Sequence, residues 1–153
     1  MGTGNHKSQI TGMLGVYLAA AELTNRGFIV SPTSRSAAGA DLLVADQECQ
    51  RAFSIQVKTQ RKAANYWLVG SQARKINSPT HIYVFINLKG DHRPEYLVVP
   101  SSVVAEKMYL DEGKRKTGNK FHWFGRNAGK EFVAAQGWKD QRQEGWEIFG
   151  SPS

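Results

Sequence analysis

Sulfur chemistry is nearly absent from this chain. Its single cysteine, Cys49, excludes an internal disulfide and suits a reducing, cytoplasmic compartment. Cys49 also has no partner for a thiolate zinc site, and His6, His81, His92 and His122 do not fall at metal-binding spacing. No apolar run approaches the roughly 20 residues that cross a bilayer, so no membrane partner is expected. The stretch from Met1 to Lys7 lacks an apolar signal core, and export is not expected. Internal repeats and low-complexity segments are missing too, which excludes repeat arrays. Acidic residues are in the minority, 13 against 20 Lys and Arg, for a formal net charge of +7. A basic balance puts nucleic acid first among partners, because a bound polyanion releases counterions.

What is present suffices for one domain over residues 1–153. The chain is 41% hydrophobic, well above what a disordered segment carries. Residues 8–26 read as a helix, with Ile10, Leu14, Tyr17, Leu18 and Ala21 at helical spacing as its apolar face. Ser8 is placed to cap its start, and Gly27 supplies a left-handed residue after its end. Phe28-Ile29-Val30 opens a short strand that Pro32 ends. Ala40 to Val44 reads as a second strand and Ala52 to Thr59 as a third, joined through the polar turn Asp46-Gln47-Glu48. Residues 66–69 form a further short strand and Ser71 to Ile76 a helical turn. His81 to Leu88 is a buried strand with Glu95 to Val99 as its partner. A helix opens at Pro100-Ser101-Ser102 and runs to about Asp111. Residues 8–111 thus make the core, 112–120 a basic loop, and 121–153 an aromatic-rich segment with a helix near 128–136. Trp67, Trp123, Trp138 and Trp146 read as packing residues. The order (helix, three-strand meander, helix, strands, helix) gives an α/β fold with a mixed central sheet flanked by helices.

Period-two alternation in the third strand puts Ser54, Gln56 and Lys58 on one face and Phe53, Ile55 and Val57 on the other. Chain reversal between 46 and 51 brings Asp41 beside Gln56. A carboxylate, an amide oxygen and the Val57 carbonyl would then converge as ligands for a hard cation such as Mg²⁺ or Mn²⁺. Lys58 joins them on the same face, where it can hold an attacking water or transition-state charge. Thr59, Arg35, and the run Lys114-Arg115-Lys116 are candidate phosphate contacts.

Gly39-Ala40-Asp41-Leu42-Leu43-Val44 followed by Ile55-Gln56-Val57-Lys58-Thr59 resembles the motif of the PD-(D/E)XK nuclease superfamily, in a Gln-x-Lys variant. It is similar to group I intron homing endonucleases of that restriction-endonuclease-like fold. The resemblance covers residues 8–100. It implies a metal-dependent DNA endonuclease with Asp41, Gln56 and Lys58 at its centre, and by analogy a homodimer when both strands are cut. Ala40 replaces the Pro that names the motif. The resemblance also implies a Glu after the glycine of the first helix, where this chain has Val16 after Gly15. Glu22 lies six residues further on, about 120° round the helix, and serves as the substitute candidate. With Val16 there and Gln56 neutral, the alternative is a catalytically inactive DNA-binding or interaction module on the same fold.

Overall fold

The computed structural model describes residues 3–34, 39–62, 64–111 and 121–153. Helix α1 spans Thr3–Asn25. The strands are β1 (Ile29–Pro32), β2 (Leu42–Ala45), β3 (Ala52–Gln60), β4 (Tyr66–Leu68), β5 (His81–Lys89), β6 (His92–Pro100), β7 (Tyr109–Asp111) and β8 (Phe121–Gly125). Helices α2 (Ser101–Lys107) and α3 (Arg126–Ala135) complete the set, with 3-10 turns at Ser71–Arg74 and Trp146–Phe149. Five strands form a mixed sheet in the order β1-β2-β3-β5-β6. The pairs β1–β2, β2–β3 and β5–β6 are antiparallel, and β3–β5 is parallel. This is the α/β layout read from the sequence, with a mixed central sheet flanked by helices.

Helix α1 corrects the sequence reading in two ways. It begins at Thr3 rather than near Ser8. Its buried face is Thr11, Gly15, Ala19 and Leu23, one residue per turn, whereas Ile10, Leu14 and Tyr17 are exposed and Ala21 also faces out. Small residues win that face because the helix lies close on β3: a Cβ at Gly15 would overlap the Thr59 hydroxyl. The helix ends as expected, with Gly27 at φ 98° and the amide of Phe28 donating to the carbonyl of Leu23.

On the α1 face of the sheet, Leu23, Leu42, Val44, Ile55, Ile82 and Val84 pack together with Trp146 and Phe149 of the C-terminal turn. The opposite face packs Tyr83, Phe85, Leu97 and Val99 against Trp67, Phe124, Val104 and Val133. Strand β5 is therefore covered on both faces, which explains its nearly unbroken apolar run. The helix expected over 101–111 stops at Lys107, and residues 109–111 form β7 instead. That strand belongs to a second sheet, three-stranded in the order β4-β8-β7, which the sequence reading lacked. The partners are distant in the chain (Trp67 pairs with Phe124 and Tyr109 with Trp123), so local pattern does not reveal them. Arg35 and the Lys114-Arg115-Lys116 run lie outside the described residues. Among the described residues, no helix is long and apolar enough to cross a membrane.

Candidate functional site

Asp41 lies immediately before β2 and is fixed by its backbone. Its amide donates to the Ile55 carbonyl at 2.7 Å, and its carbonyl accepts from the Thr33 amide at 2.9 Å. The Thr33 hydroxyl also donates to the Ala40 carbonyl at 2.6 Å. Asp41 is thus held between the end of β1 and the middle of β3. Register pairs Leu42 with Ile55, so β3 has no β2 partner beyond that point. The carboxylate takes over there: Asp41 Oδ2 accepts from the Val57 amide at 2.8 Å and from Gln56 Nε2 at 2.9 Å. In a strand, one residue's N–H and C=O point to the same edge, so the Val57 carbonyl faces this edge as well.

Lys58 lies two residues beyond Gln56 on the same strand face. Burial lowers its pKa, and the negative charge of Asp41 opposes that shift. Ser54, Gln56, Lys58 and Gln60 form a polar stripe along β3. At one end the Ser54 hydroxyl meets His81 Nδ1 at 2.7 Å, in a part-buried pair that the sequence reading missed. Burial lowers the pKa of His81, and its Nε2 is buried without a hydrogen-bond partner. The extended alternation back to Ser54 was the signal that could have found it. At the other end Gln60 donates to Asn87 at 2.5 Å, and Glu95 is gripped by Arg126.

Asp41, Gln56 and Val57 floor a groove of about 500 Å³. Met13, Val16 and Tyr17 of α1 make its apolar wall, and Pro32 to Ser34 the facing side. Val16 thus reaches the very groove where the resemblance implies a Glu, but brings no charge. Glu22 does not reach it. Its carboxylate accepts from Arg93 at 2.7 Å and lies 3.6 Å from Arg26, in a network that includes the buried Glu144. The rotation of about 120° around α1 directs it to this ion-pair cluster instead. Thr59 turns its hydroxyl beneath α1, where it is buried against Gly15 without a hydrogen-bond partner.

The donor set at the groove floor is all oxygen: one carboxylate, one amide and one peptide carbonyl. Hard divalent cations take such ligands. Gln56 presents its NH₂ to Asp41, and a half-turn of the amide presents its oxygen instead. Among the described residues, no group of three or more His, Cys, Asp and Glu converges.

Neither a family model nor a curated protein matches the chain. Among solved structures, Hjc, a Holliday junction resolvase from the archaeal hyperthermophile Archaeoglobus fulgidus, aligns with a TM-score of 0.48 and 12% identity. The alignment covers 85% of this chain and 98% of the resolvase.

Proposed function

We propose that this chain is a metal-dependent DNA endonuclease of the PD-(D/E)XK type, in the Gln-x-Lys variant. The observation that carries the reading is the Asp41 carboxylate, bonded to both Gln56 and the Val57 amide on the floor of an open groove. Lys58 is close enough to feel its charge. Asp41, Gln56 and the Val57 carbonyl would hold Mg²⁺ or Mn²⁺. When bound, the ion neutralises phosphate charge and makes water a better nucleophile. Lys58 orients the attacking water or bonds the developing oxyanion, and its half-buried setting strengthens that interaction relative to bulk water. Among the described residues the apolar wall of α1 adds no second carboxylate to the groove, so substrate phosphate would supply the further oxygen ligands. The net charge of +7 favours a polyanionic substrate, and Arg35, Lys114, Arg115 and Lys116 are assigned to backbone contacts. Cleavage of both strands requires two such sites, which a homodimer provides.

One observation favours the second reading, a binding module without cleavage. With Val16 and Gln56 in place, Asp41 is the single acidic ligand of the groove among the described residues. A supercoiled-plasmid nicking assay in Mg²⁺ and in Mn²⁺ decides between them. Nicking by wild type that disappears in Asp41→Asn and slows in Lys58→Ala supports the nuclease. No nicking by wild type, with activity gained in Gln56→Glu, identifies a site decayed at that position. Inactivity of every variant with DNA binding intact leaves the binding module.

A further inference from the structure

The outer face of the second sheet carries a row of aromatic rings. Trp123 of β8 stacks on Tyr109 of β7, with ring centroids 4.4 Å apart and planes 20° from parallel. Tyr66 of β4 meets the other side of Trp123 edge-on at 5.7 Å. Leu68 pairs directly with Trp123 and extends the same face. The alternate residues Trp67 and Phe124 point inward to the core, so this row is what the sheet turns outward. Tyr66, Leu68 and Tyr109 are 45%, 54% and 55% exposed. Tyr66 and Tyr109 are thus held against Trp123 with about half of each side chain in water.

We propose that this face is a stacking platform for the unpaired bases of single-stranded DNA. Every base has a π face, so aromatic rings on a rigid sheet bind unpaired strands with little sequence preference. Charge selects this occupant over a second copy of the chain. Asp111 and Phe121 pair at one end of β7 and β8, and the sequence between them carries Lys114, Arg115, Lys116 and Lys120 against one acid, Glu112. Two copies of a chain of net charge +7 repel each other, whereas a polynucleotide supplies the opposite charge and bases for the rings. Recognition of unpaired bases stands on the platform alone; the choice of DNA over RNA rests on the proposed endonuclease.

The test is fluorescence anisotropy of a labelled 15-nucleotide DNA strand with the full chain in EDTA, where metal-dependent cleavage is silent. Matched probes are an abasic strand of equal charge and an RNA of the same sequence. Wild type is expected to bind the DNA strand at least about fivefold tighter than the abasic strand, with Trp fluorescence quenched on binding. Tyr109→Ala and Tyr66→Ala, both at exposed positions, are each expected to lose roughly that factor on DNA and nothing on the abasic strand. Circular dichroism confirms that each variant is folded, and Trp123→Phe is expected to keep binding but abolish most of the quenching. Equal affinity for abasic and normal strands overturns the platform. Tighter binding of RNA overturns the choice of DNA, and a dimer in sedimentation that Tyr109→Ala dissociates assigns the face to a second copy. Absence of plasmid nicking bears on the endonuclease alone, since no arm here needs cleavage.

Discussion

Replacing Asp41 separates its structural work from its proposed chemistry. In Asp41→Ala the Val57 amide loses a carboxylate acceptor at 2.8 Å, at a residue that is only 8% exposed. A net hydrogen bond to a charged group is worth roughly 1.5–3 kcal/mol. The Gln56 amide loses its partner as well, but Gln56 borders the open groove and can turn to water. The expected destabilisation is therefore about 2 kcal/mol, dominated by Val57. In a chain of this size that lowers the melting temperature by about 4–8 °C. Asp41→Asn keeps an oxygen acceptor for Val57 while losing the charge. A neutral hydrogen bond is about half as strong, so this variant is expected to lose about 1 kcal/mol. Both variants should be inactive in plasmid nicking, because neither offers a carboxylate to a cation. Calorimetric melts and the nicking assay on the same preparations test both halves. Equal melting of the Asn and Ala variants refutes the hydrogen-bond account. Undiminished nicking by Asp41→Asn refutes Asp41 as a metal ligand.

Other perturbations probe the surroundings. Gly12→Ala, where a Cβ meets nothing within 4 Å, is expected to stabilise α1 by about 0.5–1 kcal/mol. Gly15→Ala is expected to destabilise by about 1–3 kcal/mol in urea melts, because its Cβ collides with Thr59; a gain there refutes the close helix–sheet approach. Glu95 titrates near 2 rather than 4.5, chiefly through its hydrogen bonds to Arg126. Its contribution to stability is thus complete above pH 4.5 and lost as pH falls toward 2, and Arg126→Met should flatten urea midpoints across that window. Burial depresses the His81 pKa, so the unfolded chain takes up the proton first and stability falls as pH drops below 6.5. His81→Gln should remove that component. Replacing Lys114, Arg115 and Lys116 by Ala should lower the slope of log affinity against log salt by up to about 0.9 per phosphate contact on duplex DNA. An unchanged slope excludes them from the interface.

The Asp41–Gln56 juxtaposition was legible because it is local. A nine-residue strand with period-two alternation, a polar turn and a short preceding strand leave one simple hairpin, and its register brings the two side chains together. The buried β5 was legible for a similar reason, since an apolar run of that length bounded by polar turns has few alternatives. Helix α1 was legible as a helix but not in its orientation. Hydropathy favours the stripe with Ile10, Leu14 and Tyr17, while the sheet accepts the stripe with Gly15 and Ala19, where the backbone can come close.

By itself, then, the sequence determined the α/β class, the meander and the polar stripe on β3, all set by neighbours within a few tens of residues. Tertiary structure alone decided which face of α1 is buried, that Glu22 serves an ion-pair cluster with Arg93, and that Val16 reaches the groove. It also decided that Trp67 is buried while Trp123 stands in an outward-facing row, since both lie on strands of one small sheet assembled from distant segments. Periodicity reports that a residue has a face. Which face meets the core depends on what packs against it, and that partner is supplied by chain many residues away.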